Sequence, residues 1–367
     1  MSYITAIGTA SPENKFSQET LADFMVRAMQ LDYQGSRKLK TIFKASGIDF
    51  RHSVLKDYGQ ENNFTFYPNT ENFEPFPSTG TRIRVFREEA LALSVKAVDQ
   101  ALSNVPHVKR QDITHLIVVC CTGMYAPGLD IEIVKHTGLA STVQRTCVTF
   151  MGCYAAFNAL KVADAFCKTD TGAKVLIVCT ELCSLHFQKQ ATDDNLLANA
   201  LFADGSAAVL METQTKSKIK LKPEVFHSDL LPNAEEDMAW TIGDVGFEMK
   251  LSTYVPDIIR SGIRNLTATL LGKTTKEISD IRYFAVHPGG KKILTAIEQE
   301  LGLSREQNSP AYEVLRNFGN MSSPTVLFVL KEIFENLKAE DNNENILSFA
   351  FGPGLTLESM ILKIEIE

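Results

Sequence analysis

Short, strongly apolar runs alternate with segments of helical periodicity along the whole chain. Leu116 to Cys121, Lys174 to Cys179, Ile281 to Val286 and Ile346 to Phe351 read as strands. Glu88 to Leu102 and Tyr254 to Leu271 read as helices. Strand and helix in regular alternation predict a mixed α/β architecture. A weak internal repeat refines this. In the first half a helix leads to the strand His115 to Cys121, a turn at Thr122 and Gly123, and, about thirty residues on, a helix start at Gly152-Cys153. In the second half a helix leads to the strand Ile281 to Val286, a turn at Pro288 and a helix start at Gly319-Asn320. The repeat therefore places Cys153 and Asn320 at equivalent points, and a pseudo-twofold packing of the halves brings their helix N-termini to one site. The seam is expected in the polar stretch Glu212 to Lys222, dividing the chain into residues 1–215, carrying the cysteine, and 216–367, carrying the asparagine.

Composition narrows the class. A chain of 367 residues, 44% apolar, is long for one core and fits two units. A net charge of −7 offers no general attraction for nucleic acid or an anionic membrane, so an anionic ligand needs a local basic patch. The apolar runs are too short to cross a bilayer, and the opening MSYITAIGTASP reads as strand and turn rather than a leader. All seven cysteines lie in the first half, inside apolar runs and without a CxxC pair. That is neither a disulfide framework nor a zinc site, and no metal is expected. A soluble protein in the reducing cytoplasm is the expectation.

The candidate chemistry lies in three glycine-flanked strings. MGCYAA carries Cys153, VHPGG carries His287 and FGNMSS carries Asn320: a nucleophile, a base and a neutral amide donor. A thiol with an ordinary pKa of about 8.5 needs a helix N-terminus or a nearby imidazole to react at neutral pH, and both are available. Gly152 precedes Cys153, and Tyr154 to Leu160 read as a buried helix. His287 ends a strand, where open α/β sheets bind ligands. Each residue also has an ordinary alternative: a core thiol, a packed histidine, and a helix cap for a segment Met321 to Leu337. The order Cys, His, Asn is shared with papain-like proteases, but about 150 residues of strand and helix precede Cys153, which argues against that class.

Taken in order, AIGTASP, MGCYAA, LFADGSAAV, GFEMKLSTYVP, AVHPGG, FGNMSS and AFGPGLTLE make the chain resemble the type III polyketide synthases, the chalcone and stilbene synthase-like branch of the thiolase superfamily. The resemblance runs nearly end to end. It implies a thiolase-like fold of two pseudo-twofold-related αβαβα halves in five layers, and a homodimer. By it, Cys153 carries the acyl chain as a thioester, while His287 and Asn320 hold the malonyl-coenzyme A thioester and its enolate. Phe202 and Phe247 match paired gatekeeping phenylalanines, and Gly352, Pro353 and Gly354 match a cavity-wall loop. Cys183, His186 and Ser322 fall at cavity positions. Ala126 falls where a methionine often crosses into the partner's cavity, and its small side chain suggests a bulky or fatty starter.

For coenzyme A the resemblance points to Arg37, Lys38, Lys40 and Lys44 near the tunnel entrance and to Gly289, Gly290 and Lys292 after the histidine. Thr41 and Ala45 stand where cations are common, so an acyl carrier protein is an alternative donor. No cofactor is implied beyond malonyl- and acyl-coenzyme A as substrates. The rivals are a single-condensation ketoacyl-carrier-protein synthase of the same fold, which the phenylalanine pair and GPG loop disfavour, and a non-catalytic relative, which the intact trio disfavours.

Overall fold

The computed structural model describes residues 1–367 apart from Asn233, Glu236 and Thr253, the last within the GFEMKLSTYVP string. The N-terminal half runs β1 (Tyr3–Ala10), β2 (Asn14–Ser17), α1 (Gln18–Ala28), α2 (Tyr33–Ala45), β3 (Phe50–Ser53), α3 (Thr79–Ser103), β4 (His115–Cys120), α4 (Leu129–Thr137), β5 (Gln144–Thr149), α5 (Ala155–Thr169), β6 (Lys174–Leu182), α6 (Asp193–Leu201) and β7 (Asp204–Glu212). The C-terminal half continues with β8 (Ile219–Leu230), β9 (Met238–Gly243), β10 (Gly246–Leu251), α7 (Val255–Leu271), β11 (Tyr283–Val286), α8 (Lys291–Leu301), α9 (Ser309–Phe318), α10 (Thr325–Glu335), β12 (Asn345–Gly352) and β13 (Thr356–Ile366). The polar residues between β7 and β8 adopt neither helix nor strand.

Among the described residues, nine strands join in the order β11-β12-β13-β8-β1-β7-β6-β4-β5. Read outward from the β1–β8 contact, where Ile4 faces Leu221, the two arms repeat one another. In one arm β7 is antiparallel to β1 and to β6, and β6 is parallel to β4. In the other, β13 is antiparallel to β8 and to β12, and β12 is parallel to β11. This is the pseudo-twofold that the repeat predicts, and β5 is the one strand without a counterpart.

The apolar runs are continuous because both faces of these strands are covered. In β4, Leu116 and Val118 join the core beneath α1 and α3, whereas Ile117 and Val119 join the core that contains α5 and α10. The same division sends Leu176 and Val178 of β6 one way and Val175 and Ile177 the other. The layers are thus α3, the N-terminal strands, the central helices α5 and α10, the C-terminal strands, and α7 with α8. Residues 326–330 of α10 are all buried, as a helix enclosed on every side requires. Alanines 155, 156, 159 and 163 let α5 lie close to its neighbours.

The second helix start differs from expectation. Helix α10 begins at Thr325 rather than Met321, because Ser322 takes a left-handed conformation (φ 59°) and Pro324 occupies the cap. Pro fits a first turn but cannot sit further inside. Asn320 is therefore held in the approach to the helix and is free of capping duty.

Cys153 lies in a single 3-10 turn, Gly152–Tyr154, feeding α5. Gly152 has φ +79°, and a Cβ there would overlap the Pro353 ring of the GPG loop. Replacing Gly152 with Ala should lower stability by about 1–3 kcal/mol, the usual cost of a strained left-handed residue, as read from urea denaturation; an unchanged midpoint would contradict this packing.

Candidate active site

Cys153, His287 and Asn320 line one cavity of about 360 Å³ at the junction of the halves, and all three are buried. Cys153 Sγ lies 3.9 Å from Asn320 Oδ1. The asparagine is held by a single parallel bridge: its N–H donates to Leu201 O and its carbonyl accepts from Ala203 N–H, each at 2.9 Å. That bridge ties the approach to α10 to the chain between α6 and β7. Asn320 Oδ1 accepts from Ser322 N–H at 2.8 Å, which fixes the amide and leaves Nδ2 with only a long 3.4 Å bond to Gly289 O. The donor face is therefore the one left for a ligand.

His287 is anchored through its backbone, N–H to Phe349 O at 2.9 Å, while neither ring nitrogen has a protein partner. An unpaired buried polar atom costs about 1–3 kcal/mol, a cost that a bound carbonyl would remove. Burial sets the electrostatics. It pushes the Cys153 thiol up to about 12, against the hydrogen bonds from Ser322 and Asn320 that favour the thiolate. It pulls His287 down to about 3. Burial thus favours a neutral thiol and a neutral imidazole at rest.

Behind the nucleophile lies Glu181, fully buried and raised by that burial. Its carboxylate accepts from the N–H of Cys121 and of Thr122, from Thr122 Oγ1 and from Ser323 Oγ. Cys121 Sγ in turn accepts from Gly152 N–H at 3.0 Å. Nothing in the sequence singled out Glu181, because its partners come from two segments far from it in the chain, Cys121-Thr122 and Ser323.

The remaining candidates divide. Phe202, Phe247, Cys183, His186, Ser322 and Pro353 line the cavity. Gly352 and Gly354 stand beside it; a Cβ on Gly352 would press on Tyr154 and the Cys153 amide. Ala126 is exposed and outside the cavity of its own chain. Lys38, Gly289, Gly290 and Lys292 line the entrance, joined by Lys291. Arg37, Lys40 and Lys44 do not, which corrects the expectation for that run. On α2 the cavity side is set by Lys38, Ile42 and Ala45, and the other three cations lie about 100–160° further round the helix. Lys40 pairs instead with Asp23 at 2.6 Å.

His186, on the cavity wall, has both ring nitrogens bonded: Nε2–H donates to Thr122 O at 2.7 Å and Nδ1 accepts from Phe247 N–H at 3.0 Å.

Comparison with known proteins places this geometry. The profile described as chalcone and stilbene synthases, N-terminal domain, matches residues 1–215, and the corresponding C-terminal domain matches residues 224–365. The chain is 31% identical to the alpha-pyrone synthesis polyketide synthase-like Pks18 of Mycobacterium tuberculosis, covering 98% of this chain and 91% of that protein. The chain belongs to the chalcone and stilbene synthase family of type III polyketide synthases. A putative chalcone synthase of Bacillus subtilis is 30% identical over 100% of this chain and 99% of its own. The crystal structure of PKS-I from the brown alga Ectocarpus siliculosus superposes with a TM-score of 0.92 at 28% identity, covering 99% of this chain and 98% of that one. The C-terminal type III polyketide synthase domain of Steely1 from Dictyostelium gives 0.90 at 30% identity, covering 99% of each chain. The fold is therefore thiolase-like, and the protein is a condensing acyltransferase of this family.

The neutral imidazole has a measurable consequence. His287 stays unprotonated in the fold down to about pH 3, whereas the unfolded chain takes up the proton near 6.5. The unfolded state binds more protons below 6.5, so falling pH costs stability through this residue. Compared with a His287→Gln variant, the parent should lose about 1.4 kcal/mol of relative stability between pH 7.5 and 5.5 in urea titrations. A pH-independent difference would overturn the assignment of a neutral ring.

Proposed function

We propose that Cys153 takes an acyl starter from its coenzyme A thioester, forming an enzyme thioester and releasing free coenzyme A. His287 accepts the thiol proton during that attack. Malonyl-coenzyme A then loses carbon dioxide, and the resulting enolate oxygen is held by His287 and by Asn320 Nδ2. The enolate carbon attacks the Cys153 thioester carbonyl and the sulfur leaves as thiolate; it then attacks the thioester carbonyl of the resulting β-ketoacyl-coenzyme A, which returns the lengthened chain to Cys153 and releases coenzyme A. One observation carries this reading: the two ring nitrogens of His287 lack a partner and Asn320 Nδ2 has only a long bond, beside a buried thiol in a shared cavity. Asparagine suits the role because it donates without carrying charge, and a glutamate there would repel the enolate.

Phe202 and Phe247 are read as the pair that separates the entrance from the cavity, so they govern which products form. Coenzyme A phosphates are assigned to Lys38, Lys291 and Lys292 at the entrance; a carrier-protein donor would use the same mouth. Leu21, Met25, Met238, Met249 and Leu251 give the cavity a largely apolar lining, which supports a fatty or bulky starter and, with the pyrone-forming name of the mycobacterial relative, an alkylpyrone or resorcinol product. A homodimer is supported by β5, whose outer edge ends the sheet and whose side chains are largely exposed. Seven free thiols, six of them buried, support a reducing cytoplasmic setting.

Intact-mass spectrometry with an acyl-coenzyme A starter and malonyl-coenzyme A tests the assignment. Cys153→Ala should show no acyl adduct and no product while malonyl decarboxylation persists, and full product formation would refute the nucleophile. Asn320→Ala should cut condensation about a hundred- to a thousandfold while starter loading continues.

A further inference from the structure

We propose that His186 and Gln188 act together as positioning residues for Phe247, so that these two side chains set the distribution of chain lengths. The proposal rests on the polyketide synthase reading above.

Strands β9 and β10 form a ribbon of their own, not hydrogen-bonded into the nine-stranded sheet, yet Met238, Trp240, Phe247, Met249 and Leu251 from it wall the cavity. Within the ribbon Phe247 stands opposite Ile242, and both of its backbone groups turn outward to the segment that follows β6. His186 Nδ1 takes the Phe247 N–H at 3.0 Å, and Gln188 Nε2 donates to Phe247 O at 3.1 Å and to Val245 O at 3.3 Å. Two side chains spaced i, i+2 thus do for Phe247 what a neighbouring strand would do. His186 is fixed at its far end, Nε2–H to Thr122 O, and Trp240 Nε1–H donates to the preceding carbonyl, Cys121 O, at 2.8 Å.

The rings complete the clamp. The imidazole stacks on the Phe247 ring with centroids 4.2 Å apart and planes 10° from parallel. Trp240 meets both rings edge-on, each at 5.8 Å. Phe150, just ahead of the nucleophile turn, closes the far side at 5.6 Å from Phe247. The carbonyls that hold the clamp belong to Cys121 and Thr122, whose N–H groups are fixed by Glu181 and whose Cys121 sulfur accepts from Gly152. Phe247 is thereby registered against Cys153 through a short chain of bonds. Because the two nitrogens of His186 are consumed, it positions and does not exchange protons with substrate.

The test is product profiling with hexanoyl- and dodecanoyl-coenzyme A and malonyl-coenzyme A, alongside the Cys153 acyl adduct measured by intact mass. His186→Phe keeps the ring and loses both bonds; Gln188→Leu loses the second tether; His186→Asn keeps an acceptor near the place of Nδ1. The first two should shift the triketide-to-tetraketide ratio about tenfold, the effect of one hydrogen bond of ordinary net strength, among products of protein that still carries the Cys153 acyl adduct. His186→Asn should stay near the parent ratio. Trp240, the sole tryptophan, should become more open to acrylamide quenching in His186→Phe. An unchanged ratio in both tether variants overturns the proposal, and so does a loss of loading that scales with lost stability at constant ratio. A parent that loads no starter and incorporates no malonate would instead sink the polyketide synthase reading itself.

Discussion

One parallel bridge, Asn320 to Leu201 and Ala203, is the constraint on which the site depends. It is where the chain ahead of α10 reaches across to the N-terminal half and takes its register from the residues between α6 and β7. The two bonds set Asn320 against the start of β7 on one side and against Cys153 on the other. They also place Phe202, the residue between the bonded pair, on the cavity wall. Were this register to slip by a residue, Met321 would face the cavity and the amide would turn away, since successive side chains on an extended segment alternate.

Burial then determines what these groups are at rest. A thiol pushed up to about 12 and an imidazole pulled down to about 3 describe a junction whose three central side chains are neutral. Such a site favours reactions in which charge appears only briefly and is met by donors already in place. Glu181 is the exception in kind, a buried carboxyl, and it is surrounded by amide and hydroxyl donors rather than by cations. Its bonds fix the Cys121-Thr122 segment, which touches both the nucleophile turn and the ribbon of β9 and β10. Backbone geometry, more than any ion pair, ties the reactive sulfur to the cavity wall.

The entrance shows the opposite regime. Lys38 is exposed and pairs with Asp193, and Lys291 and Lys292 open α8. An exposed pair of this sort contributes little to stability, so Lys38 is held only loosely to Asp193. Lys38, Lys291 and Lys292 are thus solvated, whereas Glu181 within is held by backbone and hydroxyl donors.

Much of this was legible in the residues themselves. Continuous apolar runs marked strands covered on both faces, and the repeated helix–strand–turn–helix spacing put Cys153 and Asn320 at equivalent points, because local periodicity follows from local burial. The glycine-flanked strings pointed to Cys153, His287 and Asn320, which the fold brings to one cavity. Three things were decided only by tertiary structure. Which side of α2 faces the entrance, separating Lys38 from Arg37, Lys40 and Lys44, follows from how that helix docks. The service of His186 as a tether follows from Thr122 and Phe247, more than sixty residues away on either side, arriving at its two nitrogens. Glu181 gains its meaning from donors just after β4 and ahead of α10. A sequence records which polar atoms a chain carries, but whether each is paired or left open to a ligand is settled by contacts between distant segments.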